Sequence, residues 1–121
     1  MTRAELVAGL GGILEEMQQN LLARARKVRD EGTRAIDARP AFEAFFTAKS
    51  EKDIHGGFAL SHWCGDAKCE TEAKEQLKVT IRCIPMGGAE GTPWEKSLTE
   101  DGPCIICGKP GKGRVVFAKS Y

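Results

Sequence analysis

Apolar residues recur at intervals of three and four over the N-terminal part of the chain: Leu6, Leu10, Ile13, Leu14, Met17, Leu21, Ala25 and Val28. That spacing predicts an amphipathic helix. Thr2 followed by Glu5 fits a capping box at its start, and the Glu31–Gly32 pair ends it. Gly9, Gly11 and Gly12 each cost about 1 kcal/mol against Ala in a helix interior. The pattern therefore predicts a weak spot or break there, with a firm helix from about Ile13 to about Asp30. Pro40 suits the opening of a second, short helix whose apolar face is Phe42, Phe45 and Phe46. Ser50–Asp53 reads as a polar connection and Gly56–Gly57 as a breaker.

From Phe58 the period changes from helical to alternating. Phe58–Trp63 reads as a strand, Asp66 to about Leu77 as a helix with Glu70 and Lys74 one turn apart, and Val79–Ile84 as a second strand ended by Pro85. The stretch 86–102 holds four Gly and one Pro and reads as a loop that Trp94 could anchor. Arg114–Ala118 is a last strand. Helices followed by a strand–helix–strand…strand unit predict an α+β fold with a boundary near residues 50–57.

At 121 residues the chain fits one small domain with a helical extension. Hydrophobic residues at 41% and charged residues at 29% match a folded chain rather than a disordered one. The net charge of +1, from 18 basic and 17 acidic side chains, does not mark a nucleic-acid binder. The length argues against an enzyme that binds several substrates within this chain. Leu6–Leu14 is too short to span a bilayer and carries no clear cleavage site, so no membrane and a reducing cytoplasmic location are expected.

Five cysteines then stand out, because an odd number cannot all pair. Cys64 and Cys69 are separated by four residues, Cys104 and Cys107 by two, with Gly108 directly after. Both spacings let a short turn aim two sulfurs at one point, and four thiolates make a closed tetrahedral zinc site. Cys69 falls in the first turn of the 66–77 helix, where free amides favour a thiolate. Lys68 and Lys109 flank the pairs and offset their charge. Disulfides, unliganded thiols and a redox-active Cys104–Cys107 pair are the competing readings, although Gly-Lys-Pro-Gly after Cys107 cannot continue a helix as a redox pair usually requires.

The remaining candidates carry less chemistry. Cys83 alternates with Val79 and Ile81 and is expected in the core. His62 could replace a thiol but reads as a polar residue near a strand end, and His55 as a solvated loop residue. Neither histidine has a carboxylate or nucleophile at motif spacing, so no catalytic residue is assigned. Arg24, Arg26, Lys27 and Arg29 crowd one helix end, with Arg34 just beyond, which suits either favourable cations at a helix C-terminus or an RNA-facing or interdomain patch, diluted by acidic neighbours. The tail from Cys107 holds Lys109, Lys112, Arg114 and Lys119 with no acidic side chain, which suits either an RNA-facing surface or an exposed edge strand.

The runs GGFALSHWCGDAKCE, TIRCIP and GPCIICGKPGKGRVVFAKSY resemble the C-terminal zinc-binding domain of prolyl-tRNA synthetase, a class II synthetase, in its archaeal and eukaryotic type, also found in some bacteria. The helix around ILEEMQQNLLARARKVRDEGTR resembles the segment after that enzyme's anticodon-binding domain. The resemblance covers nearly the whole chain. It implies zinc ligands at Cys64, Cys69, Cys104 and Cys107, with Cys83 outside the set. It implies a two-layer α/β sandwich with a mixed four-stranded sheet, helices on one side and a structural zinc ion held by four cysteines. It places the C-terminal carboxylate of Tyr121 toward the catalytic domain of the parent.

On this resemblance residues 1–50 are a helical segment and 51–121 the zinc-binding domain, with loop 85–103 a variable insertion. The catalytic domain, which would use ATP, and the anticodon-binding domain are lacking, so the chain reads as an excised C-terminal fragment. Expected partners are the rest of the synthetase, homodimeric in the parent, and tRNA(Pro). The function implied is non-catalytic support of prolyl-tRNA aminoacylation; the alternative is a free-standing zinc module that binds RNA.

Overall fold

The computed structural model describes residues 1–47, 55–97 and 99–120. The expected connection Ser50–Asp53 lies outside them. By internal contacts the chain divides into two compact units, Met1–Glu31 and Gly32–Tyr121.

The first unit is one helix, α1, Arg3–Glu31, continuous through Gly9, Gly11 and Gly12. The expected break is absent. Helix propensity is a weak preference that the rest of a long helix can override, and the start is secured as the sequence predicts. Thr2 donates its amide hydrogen to Glu5 Oε2 at 2.6 Å, and Glu5 returns its own to Thr2 Oγ1 at 3.1 Å. These contacts hold the Glu5 carboxyl below its usual range, the Thr2 amide first among them. None of the α1 residues is buried.

The second unit runs β1 (Thr33–Ala35), α2 (Arg39–Phe46), β2 (Phe58–His62), α3 (Ala67–Leu77), β3 (Val79–Cys83), β4 (Gly102–Pro103), β5 (Pro110–Gly111) and β6 (Arg114–Lys119). Four strands form one mixed sheet in the order β1-β2-β6-β3, with β1 parallel to β2 and the other pairs antiparallel. Among the described residues, three helices and a mixed sheet make this an α+β fold.

Register explains the core. Ala59 faces Phe117 across β2 and β6, and Ile81 faces Phe117 across β3 and β6. Their shared face receives Phe42 and Phe46 of α2 and Ala73 of α3, all in one buried cluster. Phe42 meets both Phe46 and Phe117 edge-on at 5.0 Å between ring centroids. Thus the helix at Pro40 packs with the sheet of the second unit.

Three strand expectations change. Strand β2 does not alternate in burial, because it is a central strand covered on both faces. Phe58 is joined by Trp94 of the loop, with ring centroids 6.4 Å apart. Strand β6 is interior rather than an edge. Its Lys119 Nζ donates to the carbonyls of Phe46 and Leu77, each at 2.9 Å, closing the ends of α2 and α3. Cys83 is exposed rather than in the core. A bulge between Ile81 and Cys83 shifts the register with β6 and breaks the alternation that pointed Cys83 inward.

Candidate metal centre

The two cysteine pairs are presented by two different kinds of turn. Cys64 follows the end of β2. Gly65, at a φ of 87°, then turns the chain into α3. Asp66 caps that helix by accepting the Lys68 amide hydrogen at 2.9 Å. Cys69 consequently sits in the first helical turn, as its sequence position predicts. The second pair lies on the turn between β4 and β5. Gly108 donates its amide hydrogen to Cys104 O at 2.9 Å, and Cys104 donates to Lys109 O at 2.8 Å. Gly108 has a φ of 75°, the left-handed conformation its position requires. Gly65 escapes the spacing argument; its signal in the sequence is its place directly after a cysteine and before a capping Asp.

These turns bring Cys64, Cys69, Cys104 and Cys107 together, with one sulfur from each within 4.8 Å of all the others. Cys64 Sγ lies 3.6 Å from Cys69 Sγ and 3.6 Å from Cys107 Sγ. Sulfurs at tetrahedral corners about 2.3 Å from a zinc ion are about 3.8 Å apart, so the cluster fits one such ion. Four thiols leave no open coordination position, which suits a structural ion rather than a catalytic one. Cys69 and Cys104 are 6% and 4% exposed and belong to the core cluster, so the centre is built into the edge of the hydrophobic core. Cys107 lies at the surface.

Main-chain hydrogen bonds and burial separate the acidities of Cys107, Cys69 and Cys64. The Lys109 amide lowers Cys107 to about 7. Burial, followed by the neighbouring sulfurs, pushes Cys69 well up. At Cys64 the Asp66 amide pulls down, but burial and the nearby Cys107 outweigh it and the thiol rises. A divalent cation would relieve this conflict by favouring the thiolate at every position.

Other candidates stand apart from this centre. His62 is buried, with Nε2 2.8 Å from Glu100 O and Nδ1 3.6 Å from Asp37 Oδ1. His55 packs edge-on against Phe45 at 4.7 Å between ring centroids, so it is not simply a solvated residue. The Cys104–Cys107 turn opens no helix. Arg114 is largely buried, bound to Asp37 at 2.8 Å and Glu100 at 2.9 Å. With Lys119 also engaged inside the fold, two of the four tail cations serve the structure. Tyr121 lies outside the described residues. On α1, Lys27 pairs with Glu31 at 3.8 Å and Arg29 with Asp30 at 2.7 Å.

A protein-family model described as prolyl-tRNA synthetase, C-terminal, matches residues 42–121. The chain belongs to this family. The prolyl-tRNA synthetase C-terminal match includes all four clustered cysteines. Proline–tRNA ligase 2 of Anaeromyxobacter dehalogenans is 46% identical over 125 residues, covering 98% of this chain and 22% of that protein. Proline–tRNA ligase of Rhodopirellula baltica is 39% identical, again covering 98% and 22%. The chain therefore spans about a fifth of the length of these curated relatives. In fold it is similar to prolyl-tRNA synthetase from Cryptosporidium parvum, solved with L-proline and AMP, at a TM-score of 0.71 and 23% identity, covering 100% of this chain and 23% of that one. No helix among the described residues is long and apolar enough to cross a membrane.

Proposed function

We propose that this chain is the non-catalytic, zinc-binding C-terminal domain of a proline–tRNA ligase of the archaeal and eukaryotic type. The observation that carries this reading is the four-sulfur cluster within the family match. Cys64, Cys69, Cys104 and Cys107 would hold Zn²⁺, whose chemistry here is to cross-link two turns. The chain's own residues do the rest. Asp66 and Gly65 aim the first pair, Gly108 turns the second, and the core cluster shields Cys69 and Cys104 from water.

In the parent enzyme, residues 1–50 would follow the anticodon-binding domain and 51–121 would form the zinc-binding domain, with α2 packed into it. Activation of proline with ATP and transfer to tRNA(Pro) would belong to the rest of a cytoplasmic, homodimeric synthetase. The Tyr121 carboxylate would be directed at its catalytic domain.

The test is to assay the isolated chain for proline-dependent ATP–pyrophosphate exchange and for tRNA retention across a salt series. Neither exchange nor tRNA binding at low salt is expected. Exchange activity would contradict the non-catalytic role. Salt-sensitive tRNA binding would favour the free-standing RNA module instead.

A further inference from the structure

Arg39 is the first residue of α2 and lies outside every cysteine loop, yet its guanidinium reaches both parts that carry three of the four sulfurs. Its Nη1 donates to the carbonyl of Ile106, between Cys104 and Cys107, at 3.0 Å. Its Nη2 donates to Glu72 Oε1 at 2.9 Å and to Gln76 Oε1 at 3.1 Å, both on α3. Its Nε donates to Glu43 Oε1 at 2.9 Å, one turn along its own helix. Glu72 is three residues after Cys69, so the two share one face of α3. One planar group thereby ties the helix that presents Cys69 to the turn that presents Cys104 and Cys107.

The Ile106 contact has a geometric consequence. A trans peptide points its carbonyl and its amide in opposite directions. Fixing the Ile106 oxygen therefore fixes the plane of the peptide from which Cys107 hangs. Among the four, Cys107 is the sulfur at the surface, the one the hydrophobic core holds least. Attraction between Arg39 and a thiolate cluster is a poorer explanation. The guanidinium already faces two carboxylates, Glu43 and Glu72, so it brings no uncompensated positive charge to the centre. Its planar fork also matters, since a lysine ammonium could not satisfy the three directions at once.

We propose that Arg39 is a positioning residue of the cysteine centre, holding the Cys104–Cys107 turn against α3 and thereby slowing loss of a bound thiolate-seeking divalent metal. This inference rests on the reading of the four cysteines as a metal site. Groups that orient metal ligands without touching the metal typically change affinity 10–100-fold when removed.

The experiment uses the whole chain loaded with zinc and measures transfer of zinc to a chromophoric chelator by stopped flow. A parallel sample loaded with cobalt(II) reports ligand geometry through its visible absorption bands. Arg39→Gln is expected to release zinc about 10–100-fold faster and to broaden or shift the cobalt bands. Arg39→Lys should fall between it and the wild type. Glu43→Gln, which loosens only the contact within α2, should stay within about threefold of wild type if the Ile106 and Glu72 contacts are the ones that matter. Should Arg39→Gln not fold, Glu72→Gln weakens the α3 contact more gently and is expected to speed release about 3–10-fold.

Wild-type zinc uptake with unchanged release from the Arg39 and Glu72 variants overturns this proposal alone. So does a lowered Tm with unchanged release and unchanged cobalt bands, which marks Arg39 as merely structural. A wild-type chain that takes up neither metal overturns the underlying reading together with the proposal.

Discussion

Ile105 donates its amide hydrogen to the carbonyl of His62 across 2.9 Å. The turn that carries Cys104 and Cys107 is thus fastened by main chain to the end of β2, just before Cys64. The two cysteine-bearing loops are registered by the protein itself, and the sulfurs meet because the strands and turns behind them are already aligned.

Replacing Ile105 by Pro tests that fastening. It deletes the donor, leaves the His62 carbonyl unpaired in a buried position and removes a buried isoleucine side chain from the core. The lost hydrogen bond is expected to cost about 1–3 kcal/mol, with the lost side-chain packing adding to it, read as a lower Tm in thermal unfolding. An unchanged Tm would contradict the account of how the loops are aligned.

The cysteines should separate cleanly by role. Cys83→Ser, at an exposed bulge, should change stability by no more than about 0.5 kcal/mol and leave metal content intact. Cys104→Ser should abolish stoichiometric zinc retention. Equal metal loss in both variants, measured by elemental analysis, would contradict the four-ligand assignment.

The core rests on a short chain of aromatic rings. Phe117 is fully buried and meets Phe42 edge-on. Phe117→Ala should cost about 3–5 kcal/mol, seen as a lower midpoint in denaturant unfolding of the metal-loaded chain. A loss under about 1 kcal/mol would mean that this face of the sheet is not the core.

In metal-free protein Cys107 and Cys69 should titrate apart. The Lys109 amide lowers Cys107 to about 7 in the folded state, below a free thiol's value of about 8.5. Its stabilising contribution is therefore present above the unfolded value and is lost as pH falls through about 7. Cys69, raised by burial, runs the other way: its contribution is present below the unfolded value and is lost as pH rises through its folded value. Alkylation of Cys107 should be half-maximal near pH 7, with Cys69 still protected. A Cys107 midpoint above about 8.5 would contradict the role of the Lys109 amide.

The sequence made some of this legible and hid the rest for physical reasons. Spacing found the four clustered cysteines, because short turns constrain which sulfurs can converge. Periodicity found α2, α3 and the strands β2, β3 and β6, because each element follows its own repeat. Periodicity failed at Cys83, since one inserted residue reverses every side chain beyond it and nothing in Ile81–Cys83 announces the bulge. It missed β1, three residues long and too short to show a pattern. Glycine costs pointed to a weak spot or break in α1, and the helix does not break there, because a local penalty is set against a helix of 29 residues. The uses of Arg39, Arg114 and Lys119 were invisible, since each reaches partners distant in sequence.

The central claim is that four thiolates hold one structural zinc ion. The most direct measurement is elemental analysis of the folded chain, purified without chelator, together with a count of thiols open to alkylation under native conditions. One zinc per chain is expected, with Cys83 the thiol that reacts and the other four protected until the metal is removed. A folded, metal-free chain with all five thiols reactive would contradict it.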